Sequence, residues 1–219
     1  MAYSPEKPFA LPPLPPLTDL ARPEIYEALP EVRAILGELK GYSELLPNPL
    51  LLLSPAIVKE SLASSEIENI HTTLEDVLQQ TLFPEIEQRP ENKEVLRYRE
   101  AVLWGYHELQ KVPLSRRIIV GVQTKLMPGK KAGLRAVQNR IANQTSGEIL
   151  YTPPEANRLD GLIGNLEQFY HDETSRIDPL VKTAISHYQF EAIHPFRERV
   201  FSMQSLQCPS LRRFAWPIR

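Results

Sequence analysis

Apolar residues recur at three- and four-residue spacing along most of the chain. Between residues 24 and 46, Ile25, Leu29, Val32, Ile35, Leu36 and Leu39 keep that interval, which predicts a helix. Ser54-Pro55 offers a cap followed by proline at the first helical position, and Ile57, Val58 and Leu62 carry a second helix toward Asn69. Thr72-Thr73 precede a third, built on Leu74, Val77, Leu78 and Leu82 and stopped before Pro84. Residues 91–110 place Val95, Tyr98, Val102 and Tyr106 on one stripe of a long amphipathic helix. Ser115 is a candidate cap for the next, which holds Ile118, Ile119, Val122 and Leu126 and ends near Pro128-Gly129.

The period then changes. Residues 137–152 set the polar run Asn143-Gln144-Thr145-Ser146-Gly147-Glu148 between two short apolar stretches, and Ile149-Leu150-Tyr151-Thr152 has β character. That combination predicts a hairpin with a polar turn. Helix resumes after Pro153-Pro154 with Leu159, Leu162, Ile163, Leu166, Phe169 and Tyr170. A last strong helix runs from Pro179 through Leu180, Val181, Ala184, Ile185 and Tyr188 to about Ile193, where His194-Pro195 ends it. No internal repeat interrupts this mostly helical body.

Composition changes the picture at the two ends. Eight of the 21 prolines lie in the first 30 residues, and Leu11-Pro12-Pro13-Leu14-Pro15-Pro16-Leu17 predicts extended polyproline II. Such a segment either docks on a proline-binding domain or packs its leucines along the protein's own surface. Residues 197–219 hold five arginines against one acid, Glu198, so the net charge of -2 is an acidic body joined to a basic tail. At 42% hydrophobic and 24% charged, the 219 residues read as a globular protein with room for a sizeable core. The near-balanced charge gives no reason to expect bulk nucleic-acid or anionic-membrane binding. No apolar run approaches the ~20 residues of a membrane span and no leader pattern opens the chain, so a cytoplasmic location is expected. Cys208 stands alone, which excludes an internal disulfide framework and a multi-cysteine metal cluster.

Three places offer chemistry. His194-Pro195-Phe196 follows a buried-looking helix, and an imidazole held by packing on one side and open to solvent on the other can act as a base near neutrality. The same histidine also suits a purely local role, satisfying loop carbonyls. In Ser64-Ser65-Glu66-Ile67-Glu68-Asn69, Ser64 and Glu68 share a helical face, which aims a carboxylate at a cation or at an arginine, or simply solvates the face. The hairpin at 143–152 presents an edge for an extended peptide or is a surface loop without a partner. His71, His107, His171 and His187 have no metal-ligand spacing, and His187 with His194 lacks a third ligand, so zinc is not expected. Neither a GxGxxG, a Walker loop nor a GxSxG is present.

Taken in order, Gly41-Tyr42-Ser43-Glu44-Leu45-Leu46-Pro47, Ser64-Ser65-Glu66-Ile67-Glu68-Asn69-Ile70, Asn143-Gln144-Thr145-Ser146-Gly147-Glu148-Ile149 with Tyr151-Thr152-Pro153-Pro154, and His187-Tyr188-Gln189-Phe190-Glu191-Ala192-Ile193-His194-Pro195-Phe196 resemble the Fic family of protein adenylyltransferases. The likeness covers roughly residues 10 to 198 and is nearest the bacterial subgroup whose inhibitory motif precedes the catalytic core. It implies an all-α fold with a β-hairpin flap, and transfer of AMP from ATP to a Ser, Thr or Tyr hydroxyl of a target protein. It further implies that His194 is the base, that Pro195 and Phe196 support its motif, and that Glu198 holds Mg²⁺ against the phosphates. Gly147, Glu148, Ile149, Leu150, Tyr151 and Thr152 would be the target-binding flap. Ser64, Glu68 and Asn69 would form the inhibitory motif, in which the glutamate pairs with the last arginine of the core motif.

After Glu198 the family pattern continues Gly-Asn-Gly-Arg, whereas this chain has Arg199-Val200-Phe201-Ser202. The glycines let backbone N–H groups approach the phosphates, and the asparagine and arginine balance charge developing there. Val200 and Phe201 supply neither. A reading-frame change or premature end near codon 197 would explain the switch, and the resemblance implies further C-terminal core helices that have no counterpart here. The expected organisation is a Pro-rich arm with N-terminal helices over 1–90, an incomplete catalytic core over 91–198 and a non-matching tail over 199–219. The resemblance thus implies an auto-inhibited and impaired adenylyltransferase. A non-catalytic interaction protein using the inhibitory helix and flap as binding surfaces is the alternative, and homo-oligomerisation stays open.

Overall fold

The computed structural model describes residues 4–47, 58–59, 62, 72–82, 90–143 and 145–197. The helix expected from Ser54-Pro55 to Asn69 lies outside them, apart from the helical residues Val58, Lys59 and Leu62, and so does the tail. The elements are α1 (Pro23–Glu44), α2 (Leu74–Leu82), α3 (Pro90–Leu109), α4 (Arg116–Leu126), β1 (Ile141–Ala142), β2 (Ile149–Tyr151), a 3-10 turn (Ala156–Arg158), α5 (Leu159–His171) and α6 (Pro179–Ile193). Among the described residues the fold is helical with one short antiparallel hairpin, as the apolar spacing predicts.

Local chemistry explains several boundaries. Thr73 accepts the backbone N–H of Asp76 at 3.1 Å while its hydroxyl donates to the Asp76 carboxylate at 2.8 Å, which starts α2 after Thr72-Thr73. Asp178 caps α6 by accepting the Leu180 N–H at 2.9 Å, and Pro179 fills the first helical position, where an N–H would lack a partner anyway. Ser115 does sit at the N-cap of α4, but its side chain makes no capping bond.

The main core joins parts distant in sequence. Leu159, Leu162, Ile163, Leu166 and Phe169 of α5 pack with Ala192 and Ile193 of α6 and with Leu11 and Leu14 of the N-terminal arm. The arm is therefore integral to the body: the Asn165 side chain accepts the Leu14 N–H at 2.7 Å and donates to the Leu14 carbonyl at 2.9 Å. This favours the self-packing reading for Leu11 and Leu14, while Leu17 stays fully exposed. A second cluster gathers Val58, Val77 and Val95.

Helices α3 and α4 approach closely at Gly121. A Cβ there would lie 2.1 Å from the ring of Trp104, so any side chain requires the indole to move. Two periodic stripes bury less than their pattern suggests. On α3, Val95 is buried but Tyr106 is exposed. On α1, Val32, Ile35, Leu36 and Leu39 are all exposed, because the arm rather than this helix fills the core beside α5. Arg33 of α1 pairs with Asp178 at the start of α6.

Candidate functional site

The end of α6 organises the site. The last carbonyls of a helix have no partner within it and require donors from elsewhere. Residues 135–151 supply a donor to one of these carbonyls and to the three that follow the helix. The Tyr151 hydroxyl donates to the Ala192 carbonyl at 2.7 Å. Arg135 donates Nε–H to the His194 carbonyl at 3.0 Å and its backbone N–H to the Pro195 carbonyl at 2.8 Å. Asn139 donates its amide to the Phe196 carbonyl at 3.3 Å. The hairpin and its approach are thus fastened to the turn carrying His194.

His194 ends α6 in the left-handed region, φ 45° and ψ 66°, with its N–H donating to the Phe190 carbonyl at 3.1 Å. Glycine is usual at such a position, and a side chain there costs on the order of 1 kcal/mol or more, which the surrounding bonds must offset. Pro195 prevents the helix from continuing. Phe196 is buried, its ring edge-on to Phe190 with centroids 6.4 Å apart.

The imidazole is not half open to solvent as its loop position suggests. Its residue is only 8% exposed, because α6, Arg135 and the hairpin enclose the turn. Burial first, and then the nearby Arg135 charge, push its pKa down to about 4 from the ordinary 6.5. At neutral pH the ring is therefore uncharged and able to accept a proton. Glu191, one helical turn earlier, is equally buried, and its carboxyl makes no hydrogen bond among the described residues. Burial pushes its carboxyl up to about 7.

The hairpin pairs Ile141 with Tyr151 and Ala142 with Ile149. Its turn is built by Asn143, whose side chain accepts the N–H groups of Thr145 at 2.8 Å and Ser146 at 3.1 Å. Gly147 supplies the positive φ of 72° that returns the chain, and Glu148 leads into β2 with its carbonyl accepting the Asn143 N–H at 2.8 Å. Thr152, at the foot of the hairpin, is buried against the arm. Its carbonyl accepts the Phe9 N–H at 2.9 Å and its hydroxyl donates to the Pro5 carbonyl at 2.6 Å.

Of the flap residues Ile149, Leu150, Tyr151 and Thr152, Tyr151 reaches the end of α6 at Ala192, while His194, Pro195 and Phe196 are bonded by Arg135 and Asn139. Ser64, Glu68, Asn69 and Glu198 lie outside the described residues. Arg135 and Asn139, central to the geometry, are missed by sequence reasoning, because a cation in Lys130-Lys131-Ala132-Gly133-Leu134-Arg135 resembles any solvated basic loop. Glu191 carried a signal, a single acid inside the apolar run Phe190-Glu191-Ala192-Ile193. Among the described residues no three His, Cys, Asp or Glu side chains group to hold a metal ion, and no helix is long and apolar enough to cross a membrane.

A helical core with a hairpin latched to a histidine-bearing helix end defines a known class. Residues 26–107 match the Fic/DOC family N-terminal model, and residues 113–198 match the Fic/DOC family model. The chain carries a Fic/DOC family N-terminal region followed by a Fic/DOC family core. The core match ends at Glu198.

Solved structures share the fold. A Fic family protein from Desulfovibrio desulfuricans superposes with a TM-score of 0.61 at 22% identity, over 87% of this chain. The chain spans 60% of that protein's length. A Fic domain containing signaling protein from Bacteroides thetaiotaomicron gives 0.57 at 18% identity, over 83% of this chain and 74% of that one.

Proposed function

We propose that this chain is built for nucleotidyl transfer, moving AMP from ATP to a hydroxyl side chain of a target protein, with His194 as the base. The observation that supports this most is the enclosed, neutral imidazole of His194 on a turn tied to the hairpin through Tyr151 and Arg135. Family membership suggests a transferase, since Fic domains typically transfer AMP or other nucleotide-derived groups to proteins.

In the proposed step the target hydroxyl oxygen bonds to the α-phosphorus. The bond from that phosphorus to the β-bridging oxygen breaks, pyrophosphate leaves, and the hydroxyl proton passes to a ring nitrogen of His194. Main-chain pairing along Gly147, Glu148, Ile149, Leu150, Tyr151 and Thr152 would hold the target segment. The anionic phosphates would also offset the Arg135 charge and raise the imidazole's proton affinity toward neutrality, where general bases work best. The described residues alone do not make a Mg²⁺ site. Glu198 is the carboxylate proposed to hold the ion, whose chemistry is to neutralise phosphate charge. Ser64, Glu68 and Asn69 would restrain the site until displaced, and a cytoplasmic setting with ATP at hand suits the reaction.

Arg199-Val200-Phe201-Ser202, standing where the family pattern has Gly-Asn-Gly-Arg, favours a second reading: a non-catalytic interaction protein that keeps the helix and flap as surfaces. Losing one such phosphate donor typically costs about 10² to 10³ in rate. Labelled ATP, Mg²⁺ and cell extract separate the two. Label transfer that is abolished by His194→Ala and raised by Glu68→Gly is expected. No transfer even with Glu68→Gly, together with no heat of ATP–Mg²⁺ binding in calorimetry from a chain that melts cooperatively, would overturn the transferase reading in favour of the interaction one.

A further inference from the structure

Arg135 is 3% exposed, and all its described hydrogen bonds go to carbonyls. Besides His194 and Pro195, it donates Nη2–H to the Pro154 carbonyl and Nη1–H to the Val137 carbonyl, the latter at 3.3 Å. No carboxylate pairs with it among the described residues. Burying a cation with dipoles alone is expensive, and its own burial opposes its charge. A residue kept only for packing would be better neutral. The fork instead bridges two segments that the proposed chemistry needs in register: the left-handed turn at 194–195 and the end of the hairpin at 153–154.

We propose that Arg135 is the positioning residue of this site, fixing the His194 turn against the segment that leaves the hairpin at Pro154. This rests on the transferase reading for its catalytic consequence, but not for its geometry. Among the described residues, three titratable or charged groups lie near His194 on the elements around it. Arg135 approaches from the loop before β1, Glu191 lies on the same helix and is neutralised by its burial, and Tyr151 reaches from β2 with its hydroxyl committed to Ala192. A guanidinium is suited to this task because it keeps its charge and presents several donors in a rigid plane.

The test is an NMR titration of the His194 ring in the full chain, beside Arg135→Lys and Arg135→Gln variants. In the parent the ring stays neutral to about pH 4. Arg135→Gln is expected to move its titration upward toward 6.5, because the nearby charge is removed and the turn is freed. Arg135→Lys is expected to keep it low, because the charge remains, while label transfer falls at least tenfold because the fork is lost. An unmoved titration in Arg135→Gln overturns the proposal, as does Arg135→Lys transferring label within twofold of the parent. If Arg135→Gln does not fold, the parent chain still decides. The Arg135 Nε–H must exchange with solvent far more slowly than an exposed arginine's, and rapid exchange overturns the clamp. A chain that transfers no label with any target refutes the catalytic reading and leaves the titration and exchange results to judge Arg135.

Discussion

Glu191 and His194 predict an unusual pH response, because their displacements have opposite sign and overlapping windows. His194 is held near 4 instead of 6.5, so its contribution to stability is present above pH 6.5 and lost as pH falls through 4. Glu191 is held near 7 instead of 4.5, so its contribution is present below pH 4.5 and lost as pH rises through 7. Each displacement corresponds to about 3 kcal/mol. Between pH 4.5 and 6.5 the folded chain carries a proton on Glu191 and the unfolded chain carries one on His194, so the two slopes cancel. Replacing one partner exposes the other. Glu191→Gln should lose about 3 kcal/mol on acidification from pH 6.5 to 4, and His194→Gln should lose a similar amount on raising pH from 4.5 to 7. The assay is urea unfolding at half-unit pH intervals, read as the difference between each variant and the parent so that surface carboxylates drop out. For a chain of this size the loss amounts to roughly 6–12 °C in Tm. Differences that do not vary with pH would refute the burial of both groups and the neutral imidazole on which the proposed chemistry depends.

Three further substitutions probe the scaffold. Leu11→Ala, at a buried arm position packed on α5, should cost about 2–3 kcal/mol in urea melts, and a loss under ~0.5 kcal/mol would mean the arm is not part of the core. Gly121→Ala forces a methyl group to within 2.1 Å of the Trp104 ring and should destabilise by roughly 1–3 kcal/mol, with a change in tryptophan fluorescence as the ring moves. Arg33→Ala removes an ion pair whose arginine side chain is 60% exposed, so its cost should stay below about 1 kcal/mol and shrink further in salt; a larger, salt-independent loss would show that α1 is fixed through that contact.

Periodicity located the helices because burial of one face imposes a 3.6-residue repeat whatever the partner is. The start of α2 at Thr73 and of α6 at Asp178-Pro179 was legible for the same kind of reason, since caps act within one turn. The polar turn of the hairpin was legible through Asn143 and Gly147. Long-range choices were not. Nothing in the spacing of α1 says that Leu11 and Leu14 pack beside α5 while Val32 and Leu36 face outward. The site divides the same way: His194 is marked by the break at Pro195, but its enclosure depends on Arg135, 59 residues earlier.

The link between hairpin and histidine is made at the end of α6 and in the turn that follows it. A helix that stops in a buried place leaves carbonyls needing donors. α6 stops at His194 because Pro195 cannot continue it, and the carbonyls of Ala192, His194, Pro195 and Phe196 are all met by the segment from Arg135 to Tyr151. Moving the hairpin therefore means breaking bonds at the very turn that presents the imidazole. The arm extends the chain of dependence, because Thr152 is held by Pro5 and Phe9 while Leu11 and Leu14 sit in the core with Ile193. Binding at the hairpin, displacement of the arm and the state of His194 are consequently one mechanical problem, and a ligand favouring one arrangement of the three alters the others by its difference in affinity between them.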